Sequence, residues 1–485
     1  MTYRILRAHC LQQSMNVGKK QAVASFIWDY RSVAIKLSRR QWRLFFEFGR
    51  TSKHASAKDL NTICGASPVQ MASFQVVEQI DSWISNRAND FIDLVRRSQL
   101  SPEIRTQLYA INRRRAWFSR ASLKGIDDDA RVLARCIMRQ VMKQHRRPNL
   151  SHISPRLDVR VASVAPAKTT KHARLWATLR LPKRGRVEIP LQTNKYFEQR
   201  DGVLCPVIQL CTEEAGAISV RLISDITDKC KENRAAYLPE IDSLGIDFGL
   251  ATLLATSEGD LFGRGLLADL VRIDRQIGAI ARHRQRAGGK ARDSKRYRQL
   301  VSRLRGMLKT RVNAALNRII EIRKPAALMI EHLDFRMPNL SRRMNRIITN
   351  CGRAVFKAKL DDLEQRFGIV ANEMPSPYTS QECSSCGYVD RRNRRSQSKF
   401  LCRFCGMQKH ADVNAACTVK GRRSFGLGDK FLTKAAILTM LTRRHGERFP
   451  RSQGAAADPR LTNPYWSVAA RNALTQDLVS CVQKQ

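Results

Sequence analysis

The spacing of apolar residues gives the chain three textures. From about Ala22 to Arg146, apolar positions recur every three or four residues. The clearest run is Val77, Ile80, Ile84, Ala88, Phe91 and Val95, which predicts one buried helix face, with Asp81, Asn86, Arg87 and Asp93 opposite. At Pro148 the period shortens. Leu157, Val159 and Val161 alternate with Asp158 and Arg160, and further short runs hold Leu175, Ala177 and Leu179, then Val187 and Ile189, then Ile218, Val220 and Leu222. The turn-like segments Lys183-Arg184-Gly185 and Glu214-Ala215-Gly216 separate them, which predicts a small β-sheet or barrel that Tyr3 to Leu6 completes. From Leu244 the pattern becomes α/β. Within Arg282–Arg311, Leu300, Leu304 and Leu308 predict an amphipathic helix with a basic face. No fixed-period repeat is present, and Leu427 to Gln485 carries no legible motif.

Charge changes this picture more than composition does. At 43% hydrophobic and 27% charged residues the 485-residue chain reads as globular and multidomain. Its 87 Lys and Arg face only 42 Asp and Glu, a formal +45. Such an excess repels itself unless a polyanion neutralises it, and nucleic acid is that polyanion. A membrane is the rival, but no apolar run is long enough to span one, and the N-terminal MTYRILRAHCLQQS has no signal core. The expected setting is cytoplasmic and nucleoid-associated. Arg113-Arg114-Arg115 and Arg139–Arg147 lie near Trp117 and Phe118, which either stack on bases or belong to the core.

Thirteen cysteines are present, and four form a pattern. Cys383-Ser-Ser-Cys386-Gly387 and Cys402-Arg-Phe-Cys405-Gly406 flank fifteen residues, the spacing of a four-thiolate zinc ribbon. Four thiolates close a tetrahedron, so this zinc is structural and catalysis must lie elsewhere. The others, such as Cys136 and Cys205, read as reduced core residues. Between the knuckles Arg391, Arg392, Arg394, Arg395 and Lys399 form a basic loop that is expected to touch nucleic acid.

Three acids stand in unusual company. Asp247 ends the apolar strand Leu244-Gly-Ile-Asp247, which continues into a hairpin, and Glu331 ends the apolar run Ala326–Ile330. Asp412, in His410-Ala-Asp412-Val-Asn414-Ala415-Ala416, falls in the first turn of a helix after the ribbon. Each has a plain reading as a turn cap, an arginine partner or a helix cap. Together they form the donor set that hard divalent cations require for phosphodiester hydrolysis.

The order of a GIDxG strand, an apolar strand ending in Glu, a CxxCG…CxxCG ribbon and ADxNAA resembles the nuclease half of TnpB proteins and compact type V CRISPR effectors. Thr379-Ser380-Gln381 and the basic helix through Arg311 and Asn317 add to the likeness, which covers about residues 240–425. The resemblance implies a multidomain α+β chain. A helical recognition lobe (30–148) and a wedge β-barrel (1–29 and 149–235) would precede an RNase H-like, RuvC-type α/β nuclease (236–379 and 409–426). A zinc ribbon (380–408) is inserted in the nuclease, and 427–485 forms a tail. It implies an RNA-guided endonuclease in which Asp247, Glu331 and Asp412 hold Mg2+, two ions in the family. Its partners would be a guide RNA and double-stranded target DNA bearing a short flanking motif. His332 stands where many relatives carry an acid, and Asn414 reads as structural. The alternatives are a guided repressor that does not cut and a strand-transferring transposase.

Overall fold

The computed structural model describes residues 4–467, apart from 55–59, 61–63, 120, 168–172, 183–184, 213–216, 250–251, 332–339, 426–431 and 451–457. Two compact units divide the chain, residues 1–229 and 230–485.

The first unit opens with β1 (Leu6–Gln13), followed by the helices α1 (Val17–Phe48), α2 (Ala66–Arg97), α3 (Pro102–Arg113) and α4 (Asp128–Gln144). Then come β2 (Arg156–Leu157), β3 (Ala162–Pro166), β4 (Leu175–Leu181), β5 (Gly185–Gln192), the short α5 (Lys195–Glu198), β6 (Val203–Thr212) and β7 (Ile218–Asp225). The seven strands form a nearly closed, barrel-like sheet in the order β2-β6-β7-β1-β5-β4-β3. Helices and sheet share one continuous apolar core.

The expected face of α2 is buried at Val77, Ile80, Ile84, Phe91 and Val95, with Ala88 half-buried. Trp117 is a core residue too, its indole N–H donating to Asn112 Oδ1 at 3.2 Å. Phe118 packs beside it, half-buried against Phe45 and Phe46, so neither ring is a free stacking platform.

Four expectations change. Among the described residues of 1–29 only Leu6–Gln13 is strand, and α1 takes over at Val17 because Asn16 Oδ1 caps it, accepting from Lys19 N at 2.9 Å. Of the strand expected over Tyr3–Leu6, Tyr3 lies outside the described residues and Leu6 opens β1, which runs on to Gln13 with His9 and Leu11 inward, a buried histidine hiding the alternation. The strand expected through Leu157–Val161 is broken by a turn. Asp158 accepts from the Arg160 backbone at 3.1 Å, its carbonyl accepts from Val161 and Ala162, and Val159 is left exposed. Cys136 is exposed and Cys205 half-buried rather than in the core; the inward stripe of α4 is Ala130, Ala134, Met138 and Val141, which omits position 136. The segments around Lys183–Arg184 and Glu214–Gly216 lie outside the described residues.

Helix α6 (Thr227–Ala236) crosses the boundary between the units. The second unit holds β8 (Ile241–Phe248), β9 (Leu254–Thr256), β10 (Leu261–Phe262), α7 (Leu266–Arg286), α8 (Lys295–Arg323), β11 (Pro325–Glu331), α9 (Arg342–Phe367) and β12 (Val370–Met374). The sheet order is β10-β9-β8-β11-β12, antiparallel from β10 to β8 and parallel from β8 to β12. The hairpin β13 (Lys399–Leu401) and β14 (Gln408–His410) leads into α10 (Ala411–Gly421), and α11 (Lys434–Arg448) follows. Helices α7, α8 and α9 bury Ile273, Leu304, Leu308, Ile348 and Phe356 against Leu244, Ile246 and Phe248. Among the described residues no helix is long and apolar enough to cross a membrane.

Candidate functional site

The strand β8 is apolar because it is the middle strand of its sheet, covered on both faces. Its parallel register with β11 pairs Leu244 with Leu328 and Ile330 with Ile246, a constant offset of 84 positions. Asp247 and Glu331 are also 84 apart, so one further step along the register sets the two acids side by side at the strand ends. Side chains alternate along a strand, so both leave the same face, the one that α10 covers.

The approach of α10 depends on Gly245. A Cβ at that position would collide with the Ala416 carbonyl oxygen and lie 2.8 Å from the Lys420 Cβ. With no side chain there, α10 lies against β8 and carries Asp412 toward Asp247. The first turn of α10 is capped by His410, whose Nδ1 accepts from Asp412 N at 3.3 Å, so the Asp412 carboxylate is not consumed as a cap. Asp247 and Asp412 are buried, at 8% and 4% exposure, whereas Glu331 is half-buried.

Crowding is written into the electrostatics. Burial raises the Asp247 carboxyl well above the ordinary carboxylate range, and the charges of Glu331 and Asp412 push it further, against the pull of Arg394. Burial raises Glu331 as well, opposed by a hydrogen bond from Thr379 and by the charges of Arg422 and Arg394. Three neighbouring carboxylates therefore raise one another's proton affinity, and Arg394 and Thr379 offset only part of that repulsion.

Two residues that sequence reading did not place in the site complete it. Thr379 Oγ1 donates to Glu331 Oε2 at 3.1 Å and to the Ser376 carbonyl at 2.9 Å, fixing the glutamate from the segment before the ribbon. Arg394, from the basic loop, donates to Asp412 Oδ1 at 2.9 Å. Arg392 is likewise turned inward, onto Asp390 at 2.9 Å, so of the five basic loop residues Arg391, Arg395 and Lys399 are the exposed ones. The signal for Arg394 was present only as a member of a charge run, and a run does not tell which member turns in. His332 lies outside the described residues.

Asn414 is structural, as its sequence context suggests. It is fully buried, accepts from Ser384 N at 3.0 Å and donates to the Glu382 carbonyl at 2.8 Å, tying α10 to the first knuckle. The buried pair Arg422–Glu382, at 2.8 Å, reinforces the tie, and Arg422 also donates to the Pro375 and Pro377 carbonyls. Burial pushes the Glu382 carboxyl up, so the guanidinium beside it is what keeps a charge there tolerable.

The four sulfurs of Cys383, Cys386, Cys402 and Cys405 lie within 4.8 Å of one another, with Cys383–Cys405 at 3.7 Å and Cys386–Cys402 at 3.6 Å. Thiolates about 2.3 Å from a central zinc stand roughly 3.8 Å apart in a tetrahedron, so this cluster fits a structural zinc. Gly387 and Gly406 adopt φ of 80° and 73°, which explains a glycine after each pair.

The described residues of the tail without a motif pack against the ribbon. His445 Nδ1 lies 3.0 Å from the Cys386 carbonyl, and Arg448 donates to the Ser385 carbonyl at 3.1 Å. Tyr388 is stacked between Phe404 and Trp466, while Asn463 donates to the Tyr388 hydroxyl and to the Val389 carbonyl. Arg460 covers the rings of Phe404 and Trp466. These partners are scattered single aromatics and polar residues, which show no period in the sequence. Deleting residues 434–485 is expected to weaken zinc retention by roughly ten- to a hundredfold, the usual cost of losing groups that support metal ligands. Timed zinc release to a chromophoric chelator measures it, and unchanged release would show the clasp to be passive.

A family model described as the Cas12f1-like TNB domain matches residues 354–419, the stretch that holds all four cysteines, Arg394 and Asp412. The chain is 28% identical over 201 residues to the putative RNA-guided DNA endonuclease InsQ of Escherichia coli (strain K12), covering 37% of this chain and 48% of that one. It is 44% identical over 62 residues to the CRISPR-associated endodeoxyribonuclease Cas12f1 of Sulfoacidibacillus thermotolerans, 11% of this chain and 15% of that one. Over 77 residues it is 38% identical to the TnpB-like protein aq_aa05 of Aquifex aeolicus (strain VF5), 16% of this chain and 25% of that one. The similarity therefore carries both names that the motifs resemble, TnpB and the compact type V effectors. The chain spans about half the length of the first of these relatives and smaller shares of the others.

Proposed function

We propose that this protein is an RNA-guided DNA endonuclease whose second unit hydrolyses a phosphodiester at Asp247, Glu331 and Asp412, in an RNase H-like, RuvC-type domain. The observation that carries the reading is the convergence of the three acids: two from adjacent parallel strands in register, one from the helix laid over them. The names of the relatives, an RNA-guided DNA endonuclease and an endodeoxyribonuclease, supply the substrate class. Guide RNA and double-stranded target DNA with a short flanking motif are the partners, and the +45 charge is the counterpart of their phosphates.

The three carboxylates have the oxygen donors and the spare negative charge to hold Mg2+, which supplies an activated water and neutralises the leaving oxygen when bound. Thr379 holds Glu331 in place. Arg394, from the ribbon, stands at Asp412 with its positive charge aimed into the acid cluster. With the three carboxylates holding Mg2+, the Arg394 guanidinium would be available to a phosphate oxygen of the strand. The cysteine cluster takes structural zinc and holds the loop that presents Arg394.

The first unit, with its helices and barrel-like sheet, is the part that would grip the guide and its heteroduplex, as recognition (30–148) and wedge (1–29, 149–235) regions. Nuclease segments 236–379 and 409–426 would then flank the ribbon at 380–408.

Purified protein carrying its own RNA should cut DNA matched to that guide in Mg2+ and leave it intact in EDTA; cutting that persists in EDTA would overturn the metal assignment. Arg394→Ala should lower the rate by about a hundred- to a thousandfold, as expected for a group that neutralises developing charge, with DNA binding retained. Single-turnover cutting and a mobility-shift assay separate these, and an equal loss of binding would reassign Arg394 to a docking role.

A further inference from the structure

A cavity of about 370 Å³ opens between α8 and α9, away from the carboxylates. Its rim carries Arg305, Arg346 and Asn350; Ile347, Cys351 and Val355 form an apolar floor, and no acid lines it. Arg305 and Arg346 are both exposed, and among the described residues neither has an acidic partner. Two unneutralised guanidiniums over an apolar floor suit a nucleotide unit, with the phosphate at the rim and the sugar or base below.

The chain path sets the cavity at the carboxylate end of the sheet. Helix α8 ends at Arg323, next to the start of β11, and Arg305 lies eighteen residues back, about 27 Å along the axis. The seven residues of β11 span only about 23 Å, so Arg305 stands level with the far strand end, where Glu331 is. Helix α9 leaves that same end and returns to the start of β12, which is parallel to β11, so Arg346 near its beginning stands beyond the strand end, about 15 Å along the helix from Phe356. The link to the site is direct: Phe356, one residue past Val355, packs edge-on at 5.4 Å from Phe248, the neighbour of Asp247. Phe248 faces α9 while Gly245 faces α10, so cavity and carboxylates occupy opposite faces at one end of the sheet.

We propose that this α8–α9 cavity binds the single DNA strand on which the carboxylates act, with Arg305 and Arg346 gripping its backbone a few nucleotides from the scissile phosphate. A strand passing over the sheet end reaches both faces, and one guanidinium from each helix admits a single backbone. The proposal rests on the nuclease reading for the identity of the strand, but its test does not require cutting.

The full-length protein with its copurified RNA, carrying Asp247→Ala so that the probe survives, is titrated with a fluorescent single-stranded DNA oligonucleotide at several salt concentrations. Each lost phosphate contact on a single strand removes about 0.7 from the slope of log K against log salt, so Arg305→Gln with Arg346→Gln should reduce it by about 1.4. The pair Arg272→Gln and Arg318→Gln, exposed arginines of the same unit that pair with Asp269 and Glu321 and do not line the cavity, controls for loss of charge alone. Cys351 localises the effect: its maleimide labelling, read by mass spectrometry, should slow about tenfold when the oligonucleotide binds, and the double arginine variant should abolish that protection. An unchanged slope, an equal drop in the control pair, or labelling indifferent to DNA would each overturn the proposal. So would protection of Cys351 by the RNA alone with no further effect of DNA, which would give the cavity to the guide. If instead the native protein fails to cut matched DNA while these binding results hold, the nuclease reading fails and the strand site stands.

Discussion

Asp247→Asn is expected to stop DNA cutting, with a loss of at least about a thousandfold, while guide and target binding stay within about twofold of the parent. A thousandfold corresponds to roughly 4 kcal/mol of transition-state stabilisation, a modest demand on a carboxylate in the proposed role of holding catalytic cations. The same substitution should stabilise the metal-free protein. Asp247 is buried beside two other acids, and its folded-state carboxyl is raised well above its unfolded value. A carboxyl raised on folding binds its proton more tightly in the folded state. Its ionised form therefore subtracts stability once the pH exceeds the unfolded value, and the deficit grows up to the folded value. An amide removes that deficit, so near neutral pH without divalent ions the variant should melt higher than the parent. Added Mg2+ should raise the melting temperature of the parent and leave Asp247→Asn nearly unmoved. Calorimetry in EDTA and in Mg2+, beside a cutting assay, reads all of this. A variant that still cuts, or that melts lower than the parent in EDTA, would remove Asp247 from the catalytic role and make it an ordinary structural acid.

The legibility of this site in the sequence followed from the kind of signal each part leaves. Cysteine spacing is local, so Cys383, Cys386, Cys402 and Cys405 were readable without a fold, and their sulfurs do converge. The acids were readable because each broke an apolar run, at Asp247 and Glu331, or opened a helix, at Asp412. Their convergence needed the parallel register of β8 and β11, which no single strand announces. Arg394 and Thr379 were hidden for opposite reasons: one lay among look-alike arginines, and the other belonged to a motif, Thr379-Ser380-Gln381, that says nothing of which acid its hydroxyl meets. The clasp formed by His445, Asn463 and Trp466 left no trace because its partners are far away in sequence and the three residues follow no period. In the first unit, helix faces were legible where burial followed the 3.6-residue period, as in α2. Strands failed where a buried polar residue interrupted alternation, as His9 does in β1, or where a carboxylate made a turn, as Asp158 does after β2.

Gly245→Ala should be the most damaging change outside the acids themselves, although it adds one methyl group. Its Cβ would fall on the Ala416 carbonyl oxygen and close to Lys420 Cβ, and a helix backbone cannot turn aside as a side chain can. Relief requires α10 to move off β8, and α10 carries Asp412 at one end and, through Asn414, the tie to the first zinc knuckle. Overpacking of this kind costs about 1–3 kcal/mol. The functional loss should exceed the stability loss, because a displacement near 1 Å in a catalytic group costs roughly a hundredfold in rate. Gly306→Ala supplies the contrast: it lies inside α8 with nothing within 4 Å of its would-be Cβ. That substitution should be neutral or stabilising by about 0.5–1 kcal/mol, since alanine costs less backbone entropy than glycine in a helix. Thermal melting, zinc content and single-turnover cutting on the two variants give the comparison. With Gly245→Ala, cutting should fall about a hundredfold and zinc should stay bound, since Asn414 moves with its helix but the four thiolates hold their own ion. Wild-type cutting by Gly245→Ala would mean that the spacing of α10 over β8 does not set the position of Asp412. The third acid would then have to reach the other two by some route other than the close contact that a glycine permits.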